Sequence, residues 1–175
     1  AGSKTPNKVA LKTALTFASE LYHYLLLHTE EGMEALNYLY KRGITLQFIR
    51  RFQIGHAPQR CNLLIQYLHV CGIEEDIMLQ SGLIKVQSGG EKRDFFSERI
   101  TFPILDALGA VIGFSARKYK QNTFGGKYIN SPETILFKKS RVLFGLSYCR
   151  VKIAKQQTAI LVEGQIDALR LIDTG

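Results

Sequence analysis

Two carboxylates lie close together near the end of the chain, in the stretch ILVEGQID. Glu163 follows the apolar run at residues 158–162, which is typical of a buried strand, and Asp167 comes four residues later. A carboxylate at the carboxyl end of a parallel strand faces the crevice in which such sheets bind ligands. Two carboxylates suit a divalent metal ion or general acid–base chemistry. Acidic residues also cap helices often, so this spacing alone leaves both interpretations open.

A second group of residues has the chemistry to bind anions. Between positions 117 and 155 there are ten basic residues and a single acid, Glu133, and Tyr119, Tyr128 and Phe137 lie among them. Lysine and arginine side chains neutralise phosphates, and aromatic faces stack on bases without demanding a sequence. The alternative is a solvated basic surface that binds no ligand.

The composition sets limits on the protein that holds these residues. Its 175 residues are enough for one domain, or for two small subdomains with a shared core, and a hydrophobic content of 46% allows a sizeable core. A net charge of +8 favours an anionic partner without separating nucleic acid, nucleotide and membrane surface. No apolar run is long enough to span a bilayer. The three cysteines lack the C-x-x-C spacing of zinc sites, and we interpret them as reduced, mostly buried thiols of a cytoplasmic protein.

The first half of the chain has helical periodicity. A long helix is predicted from residue 9, and its apolar face is predicted to comprise Ala10, Ala14, Phe17, Leu21, Tyr24 and Leu25. Thr29 and Thr45 are the predicted N-caps of a second and a third helix. Two further helical pieces are bounded by Gly72 and Gly82.

After Gly82 the pattern becomes that of strands. Strands are predicted at residues 83–86, 99–105 and 110–117, with a hairpin turn joining the last two. A long polar loop, a helix around residues 146–154, the strand at 158–162 and the start of another helix follow. The predicted fold class is therefore α+β, with a helical segment (9–82), a mixed β-sheet subdomain (83–157) and a final strand–helix unit (158–175). Residues 1–8, which begin with AGS, are predicted to be a disordered tag.

Four ordered blocks of sequence precede ILVEGQID. They read ALNYLYKRGI from residue 35, FIRRFQIGHAP from residue 48, ERITFPILDALGAVIGFSAR from residue 98 and KYINSPETILFKKSRVLFGL from residue 127. Together they resemble the N-terminal part of the RNA-polymerase catalytic core of bacterial DNA primases of the DnaG type. ILVEGQID is similar to the first motif of the TOPRIM fold in that family, so the final strand–helix unit is expected to begin a TOPRIM subdomain.

The resemblance implies roles for individual residues. Glu163 matches the TOPRIM glutamate, placed to act as an acid or base or to help organise metal at the growing 3′ end, and Asp167 matches the aspartate that follows it. Positions similar to the family's nucleotide and template contacts are Arg51, Arg99, Arg117, Lys127, Tyr128, Asn130, and one of Lys138 and Lys139, between which the sequence does not choose. Gln165 stands where the family often has an aromatic residue, so no stacking role is implied there.

The resemblance also implies an activity, with its cofactors and partners. Such a primase is a nucleotidyltransferase that makes short RNA primers on single-stranded DNA from ribonucleoside triphosphates, with Mg²⁺ or Mn²⁺. The resemblance also implies zinc in a separate upstream module and a contact with the replicative helicase through a downstream region. It implies no membrane partner and a cytoplasmic location at the replication fork. Further acidic motifs are expected after Gly175. The chain is therefore expected to be a fragment, ending inside the TOPRIM fold, that binds template or nucleotide with an incomplete metal site.

Two other functions remain open from the sequence. One is a non-catalytic module that only binds nucleic acid or nucleotides. The other is a different TOPRIM enzyme, such as a topoisomerase or nuclease, and the KYINSPET block argues against it.

Overall fold

Helices and strands alternate more often than the sequence predicts. The structure, a computed structural model, describes residues 7–60 and 62–175. The helices are α1 (Lys8–His28), α2 (Glu30–Lys41), α3 (Leu46–Arg51), α4 (Leu63–Val70), α5 (Glu75–Gln80), α6 (Leu146–Gln156) and α7 (Gln165–Thr174). The strands are β1 (Gly55–Ala57), β2 (Ile84–Val86), β3 (Lys92–Asp94), β4 (Arg99–Leu105), β5 (Val111–Lys118) and β6 (Tyr128–Asn130). The predicted helices and the β4–β5 hairpin are confirmed, while β1, β3 and β6 are short strands in which three residues give too little alternation to detect.

The starts of the first three helices follow from short polar side chains. The Asn7 side-chain oxygen accepts hydrogen bonds from the amides of Val9 and Ala10, so Asn7 is the N-cap of α1 and Lys8 is its first residue, and neither is part of a disordered tag. Residues 1–6 of that predicted tag, and Cys61, lie outside the described residues. Thr29 and Thr45 cap α2 and α3 as predicted, by accepting bonds from the amides of Gly32 and Phe48.

The buried face of α1 differs from the predicted stripe. Ala14 and Leu25 are buried as expected, whereas Tyr24 is 57% exposed. The buried residues are Leu11, Ala14, Leu15, Ala18, Ser19, Tyr22, Leu25 and Leu26. The face is rotated because α1 contacts β1 and β5 as well as α2, α4 and α5, and these neighbours cannot be read from its periodicity.

The main sheet has four strands in the order β1-β4-β5-β6, and β2 and β3 form a separate hairpin. Every strand pair among the described residues is antiparallel. The sequence predicted a mixed sheet, with parallel and antiparallel pairs, and that detail was wrong. The α+β class itself is confirmed. β4 and β5 are buried along nearly their whole length, since both faces of the sheet are covered.

Each face of the sheet packs into its own core. On one face, Phe114 and Ala116 of β5 join a cluster with residues of α1, α4 and α5. On the opposite face, Ile100 and Phe102 of β4 join a second cluster with residues of α2, α3 and α7. Because side chains alternate along a strand, the residues of β5 between Phe114 and Ala116, and just after it, point to this second face.

Residues 158–162 do not form the strand that the sequence predicts. The segment has no regular secondary structure, and Ile160 and Leu161 are 73% and 75% exposed. A strand is stabilised by hydrogen bonds to a neighbour, and among the described residues no strand lies beside this one. The apolar pattern was therefore not sufficient to predict a strand at residues 158–162.

Candidate nucleic-acid interface

Arg117, near the end of β5, is held between two tyrosines on the second face of the sheet. Its Nε donates to the hydroxyl of Tyr38 on α2 at 2.9 Å, and its Nη1 donates to the hydroxyl of Tyr128 on β6 at 3.0 Å. The guanidinium carbon lies 5.7 Å and 5.2 Å from the centres of the two rings. Burial lowers the pKa of Arg117, but the hydrogen bonds to Tyr128 and Tyr38 raise it overall, so the positive charge is retained. The result is a cation of fixed orientation.

A second layer of aromatic residues supports this arrangement. The ring of Tyr119 lies 6.3 Å from that of Tyr38 and 5.5 Å from the imidazole of His56 on β1. The Tyr119 hydroxyl is 3.0 Å from His56 Nε2. Burial lowers the pKa of His56 to about 4 and raises that of Tyr119 to about 12, so both are neutral near pH 7. Phe137, by contrast, is buried in a small cluster with Ile104 and Ile112 and is not available to stack on a base.

The register of β5 and β6 brings two predicted site residues next to Arg117. Tyr128 pairs with Arg117, and Asn130 pairs with Ser115. Since residues two apart share a face of the sheet, these four lie on one face. Asn130 also lines a cavity of about 70 Å³ together with Ser115, Lys139 and Gln165, among others.

Lys138 and Lys139 are in different surroundings. Lys138 Nζ lies 3.6 Å from the Glu133 carboxylate, with which it forms an ion pair. Lys139 lines the cavity that Asn130 shares, and only its backbone amide bonds to Glu133, at 2.9 Å. Lys139, unlike Lys138, therefore lies beside the candidate residue Asn130.

The two candidate acids lie where α7 begins. Glu163 is exposed in the segment before α7, and Asp167 is exposed in its first turn. Gln165 Nε2 donates to Ser115 Oγ at 2.9 Å and so fixes the start of α7 to β5. Among the described residues there is no group of three His, Cys, Asp or Glu side chains that could hold a metal ion. The two carboxylates are suitable oxygen donors for Mg²⁺ or Mn²⁺, but they are not a complete set on their own.

Arg99 and Arg51 bond to neighbouring parts of the fold. Arg99 is 2% exposed, and its guanidinium donates to the backbone carbonyls of Phe124 and Gly126. Arg51 is ion-paired with Asp173 of α7 at 2.6 Å. Both side chains therefore hold parts of the structure together, whereas Lys127 is exposed in the β5–β6 loop with no side-chain partner among the described residues.

Comparison with known proteins identifies the family. Residues 22–150 match the model of the DNA primase catalytic core, N-terminal domain. The DNA primase of Chlamydia trachomatis is 49% identical over 169 residues, which cover 97% of this chain and 27% of that protein. The chain belongs to the DNA primase family.

Solved structures of primases share the fold. The RNA polymerase domain of the Mycobacterium tuberculosis primase DnaG, solved in complex with double-stranded DNA, matches with a TM-score of 0.91 and 32% identity, covering 98% of this chain and 54% of that one. A DnaG primase catalytic domain bound to single-stranded DNA matches with a TM-score of 0.73 and 31% identity, covering 82% of this chain and 44% of that one. The α+β architecture is thus that of primase catalytic cores.

This primase chain spans about a quarter of the length of the curated relative, 27%. The family model ends at residue 150, before the segment that holds Glu163 and Asp167. No helix among the described residues has both the length and the apolar character needed to cross a bilayer.

Sequence reasoning assigned no role to three residues of the candidate interface. Tyr38 lies within the ALNYLYKRGI block but was not assigned a role, because its contact with Arg117 joins residues 79 positions apart. Ser115 and Gln165 bond across 50 positions. Of these three residues, only Ser115 could have been found from the sequence, because the alternation of side chains along the strand places it on the same face as Arg117.

Proposed function

We propose that this chain forms the nucleic-acid-binding part of a bacterial DNA primase, an enzyme that makes short RNA primers on single-stranded DNA. The observation on which this rests is the guanidinium of Arg117, fixed between Tyr38 and Tyr128 on a face that also holds Asn130. Arg117 is only 6% exposed, so it adds fixed positive charge close to the surface, which favours phosphates, and the partly exposed ring of Tyr128 offers a flat surface to a base. The primase structures that contain DNA support this use of the same fold.

The residues divide between charge neutralisation and orientation. Arg117, Lys127 and Lys139 supply positive charge for the phosphates of the template or of a ribonucleoside triphosphate. Tyr128 and Asn130 orient a base or sugar beside them. Arg99 and Arg51 act indirectly, by holding the β5–β6 loop and α7 in place.

The reaction proposed is attack of a 3′-hydroxyl on a nucleoside triphosphate with release of pyrophosphate. When bound, Mg²⁺ or Mn²⁺ would neutralise the charge that develops on the phosphates. Glu163 and Asp167 would contribute oxygen ligands, and Glu163 is alternatively placed to move the proton of the hydroxyl. The same proposal includes a zinc module, a contact with the replicative helicase and a cytoplasmic location at the replication fork. The zinc module and the helicase contact would belong to other regions of the whole enzyme.

A binding module without catalysis is the second candidate for the chain on its own. The observation that favours it is the lack of a three-ligand acidic group within residues 7–60 and 62–175. Under this alternative the chain binds DNA through the same face and performs no phosphoryl transfer.

Binding of a fluorescently labelled single-stranded oligonucleotide, measured by anisotropy at several salt concentrations, tests the proposal. We expect affinity to fall steeply with salt, and Lys127→Gln to weaken binding and to reduce the log–log salt slope by about 0.7. Lys85→Gln is the matched control, because Lys85 is also exposed and lies on the separate β2–β3 hairpin. Salt-independent binding, or an equal effect of the two variants, would contradict the assignment of the interface.

A further inference from the structure

Phe124 is the most exposed large hydrophobic side chain among the described residues. It lies in the loop between β5 and β6 and is 96% exposed. Burial of a phenylalanine ring is favourable, so a ring that the loop holds in solvent gains free energy when a ligand covers it.

The exposure does not arise from a loose loop. The buried Arg99 guanidinium donates from Nη2 to the Phe124 carbonyl at 2.7 Å and from Nη1 to the Gly126 carbonyl at 3.0 Å. Lys118 Nζ donates to the Gly125 carbonyl at 3.3 Å. Gly125 has a φ of +89°, and a Cβ built on it would come 3.2 Å from Arg99 Nη2. The backbone from Phe124 to Gly126 is therefore fixed, and the ring is exposed.

The loop that carries the ring contains basic residues and no acidic ones. Positions 117–131 contain no Asp or Glu, and the exposed Lys127 follows Phe124 by three residues. Beyond Lys127, β6 leads directly to Tyr128, which is bonded to Arg117. The ring thus stands at the outer end of the candidate interface.

We propose that Phe124 is a stacking platform for an unpaired base of single-stranded nucleic acid that lies along this interface. This inference rests on the proposed function. An aromatic face beside cations matches the alternation of base and phosphate along a strand, and stacking tolerates any base. A protein partner would require a wider apolar patch, whereas the neighbours of Phe124 in the loop are Gln121, Asn122, glycines and Lys127. Because Arg99 fixes the loop before binding, little ordering entropy is lost.

The test compares two oligonucleotides of equal length, oligo(dT) and an abasic strand that keeps the phosphates and lacks the bases. We expect Phe124→Ala to weaken binding of oligo(dT) roughly five- to a hundredfold, with the salt slope unchanged. Binding of the abasic strand should be the same for Phe124→Ala and the unmodified chain. Leu108→Ala is the matched control, since Leu108 is 87% exposed in the β4–β5 turn, and it should change neither affinity.

A second variant reports on the contact directly. The chain contains no tryptophan, so Phe124→Trp introduces a single tryptophan, whose emission can be excited selectively over that of the eight tyrosines. Oligo(dT) should quench its emission, whereas the emission of Leu108→Trp should remain unchanged.

The outcomes distinguish a failure of the stacking role of Phe124 from a failure of nucleic-acid binding by the chain. If oligo(dT) binds equally well to the unmodified chain and to Phe124→Ala, the stacking platform is refuted while nucleic-acid binding stands. Equal weakening of both strands would indicate a general disturbance of the loop and would also refute it. If the unmodified chain binds neither strand at low salt, both the inference and the proposed function fail.

Discussion

At the scale of single residues, the interface depends on hydroxyl groups that orient a cation. We expect Tyr38→Phe to remove the acceptor for Arg117 Nε and to cost about 1–2 kcal/mol of unfolding free energy, because a hydrogen bond to a charged group is lost. Binding of single-stranded DNA should weaken several-fold as Arg117 loses its fixed orientation. Anisotropy titrations and denaturant unfolding measure the two effects. Tyr40→Phe is the control on the same helix, since Tyr40 is 44% exposed, and an equal loss there would argue against this role of Tyr38.

The two adjacent lysines allow a second comparison. Lys139→Gln should weaken the binding of a ribonucleoside triphosphate with Mg²⁺ by about tenfold, since a charge-assisted contact to phosphate contributes about 1.5 kcal/mol or more. Lys138→Gln should change the affinity less than twofold, because the charge of Lys138 is already paired with Glu133. Calorimetric titration of both variants measures this, and the reverse order would assign the contact to Lys138.

His56 gives the protein a predictable response to acid. Burial, and then the charge of Lys120, lowers the pKa of His56 to about 4, while Glu34 acts in the opposite direction. Below its usual pKa of about 6.5 the unfolded chain takes up a proton that the folded protein does not, so stability falls between pH 6.5 and pH 4. The contribution of His56 to this loss is roughly 3 kcal/mol. Unfolding of the unmodified chain and of His56→Gln across this range should show the difference between them changing by that amount, and a constant difference would contradict the assignment.

At the scale of the elements, the hairpin of β4 and β5 is the scaffold on which the interface is built. Phe102→Ala should lower the free energy of unfolding by about 3–5 kcal/mol, because Phe102 is 0% exposed in the second core. Lys127→Ala, in the exposed loop, should change it by less than about 0.5 kcal/mol. Denaturant unfolding of both variants measures these values. A large loss from the charge variant with a small loss from the core variant would reverse the division between scaffold and site.

The elements that the sequence predicted well are those with long, uninterrupted patterns. The helix caps at Thr29 and Thr45 and the β4–β5 hairpin depend on residues within a few positions of one another, and all were found. The prediction of a strand at residues 158–162 was wrong, because a local pattern does not reveal whether a partner strand is present. The same limit applies to Arg99: the family resemblance implied a template contact there, and the sequence did not reveal that its side chain bonds to a loop 25 residues away.

At the scale of the whole molecule, α7 is attached to three parts of the chain. Its start is bonded to β5 through Gln165, and Ile166 and Leu169 pack into the second core. Its end is joined to α3 by the pair Arg51–Asp173. The helix with Asp167 is therefore fixed relative to Arg117 although the segment before it is exposed.

The chain on its own should not synthesise primers. Phosphoryl transfer of this type relies on divalent ions, and Glu163 and Asp167 are the only two candidate ligands predicted here, with no three-ligand group among the described residues. An assay with single-stranded template, four ribonucleotides and Mg²⁺ or Mn²⁺ should give no product. A full-length relative, such as the C. trachomatis primase, is the positive control. Templated product from the 175-residue chain would refute this assignment of the metal ligands.

The attachment of α7 also has a consequence for synthesis on the ribosome. The second core joins Ile49 to Leu169, so 120 residues separate two side chains that are buried together. At translation rates of about 5–20 residues per second, α7 is synthesised roughly 6–24 s after α3. During that interval the apolar side chains Phe48 and Ile49 are accessible to chaperones. We therefore expect nascent chains that end before α7 to be retained by a chaperone that binds apolar segments, and chains that include α7 to be released.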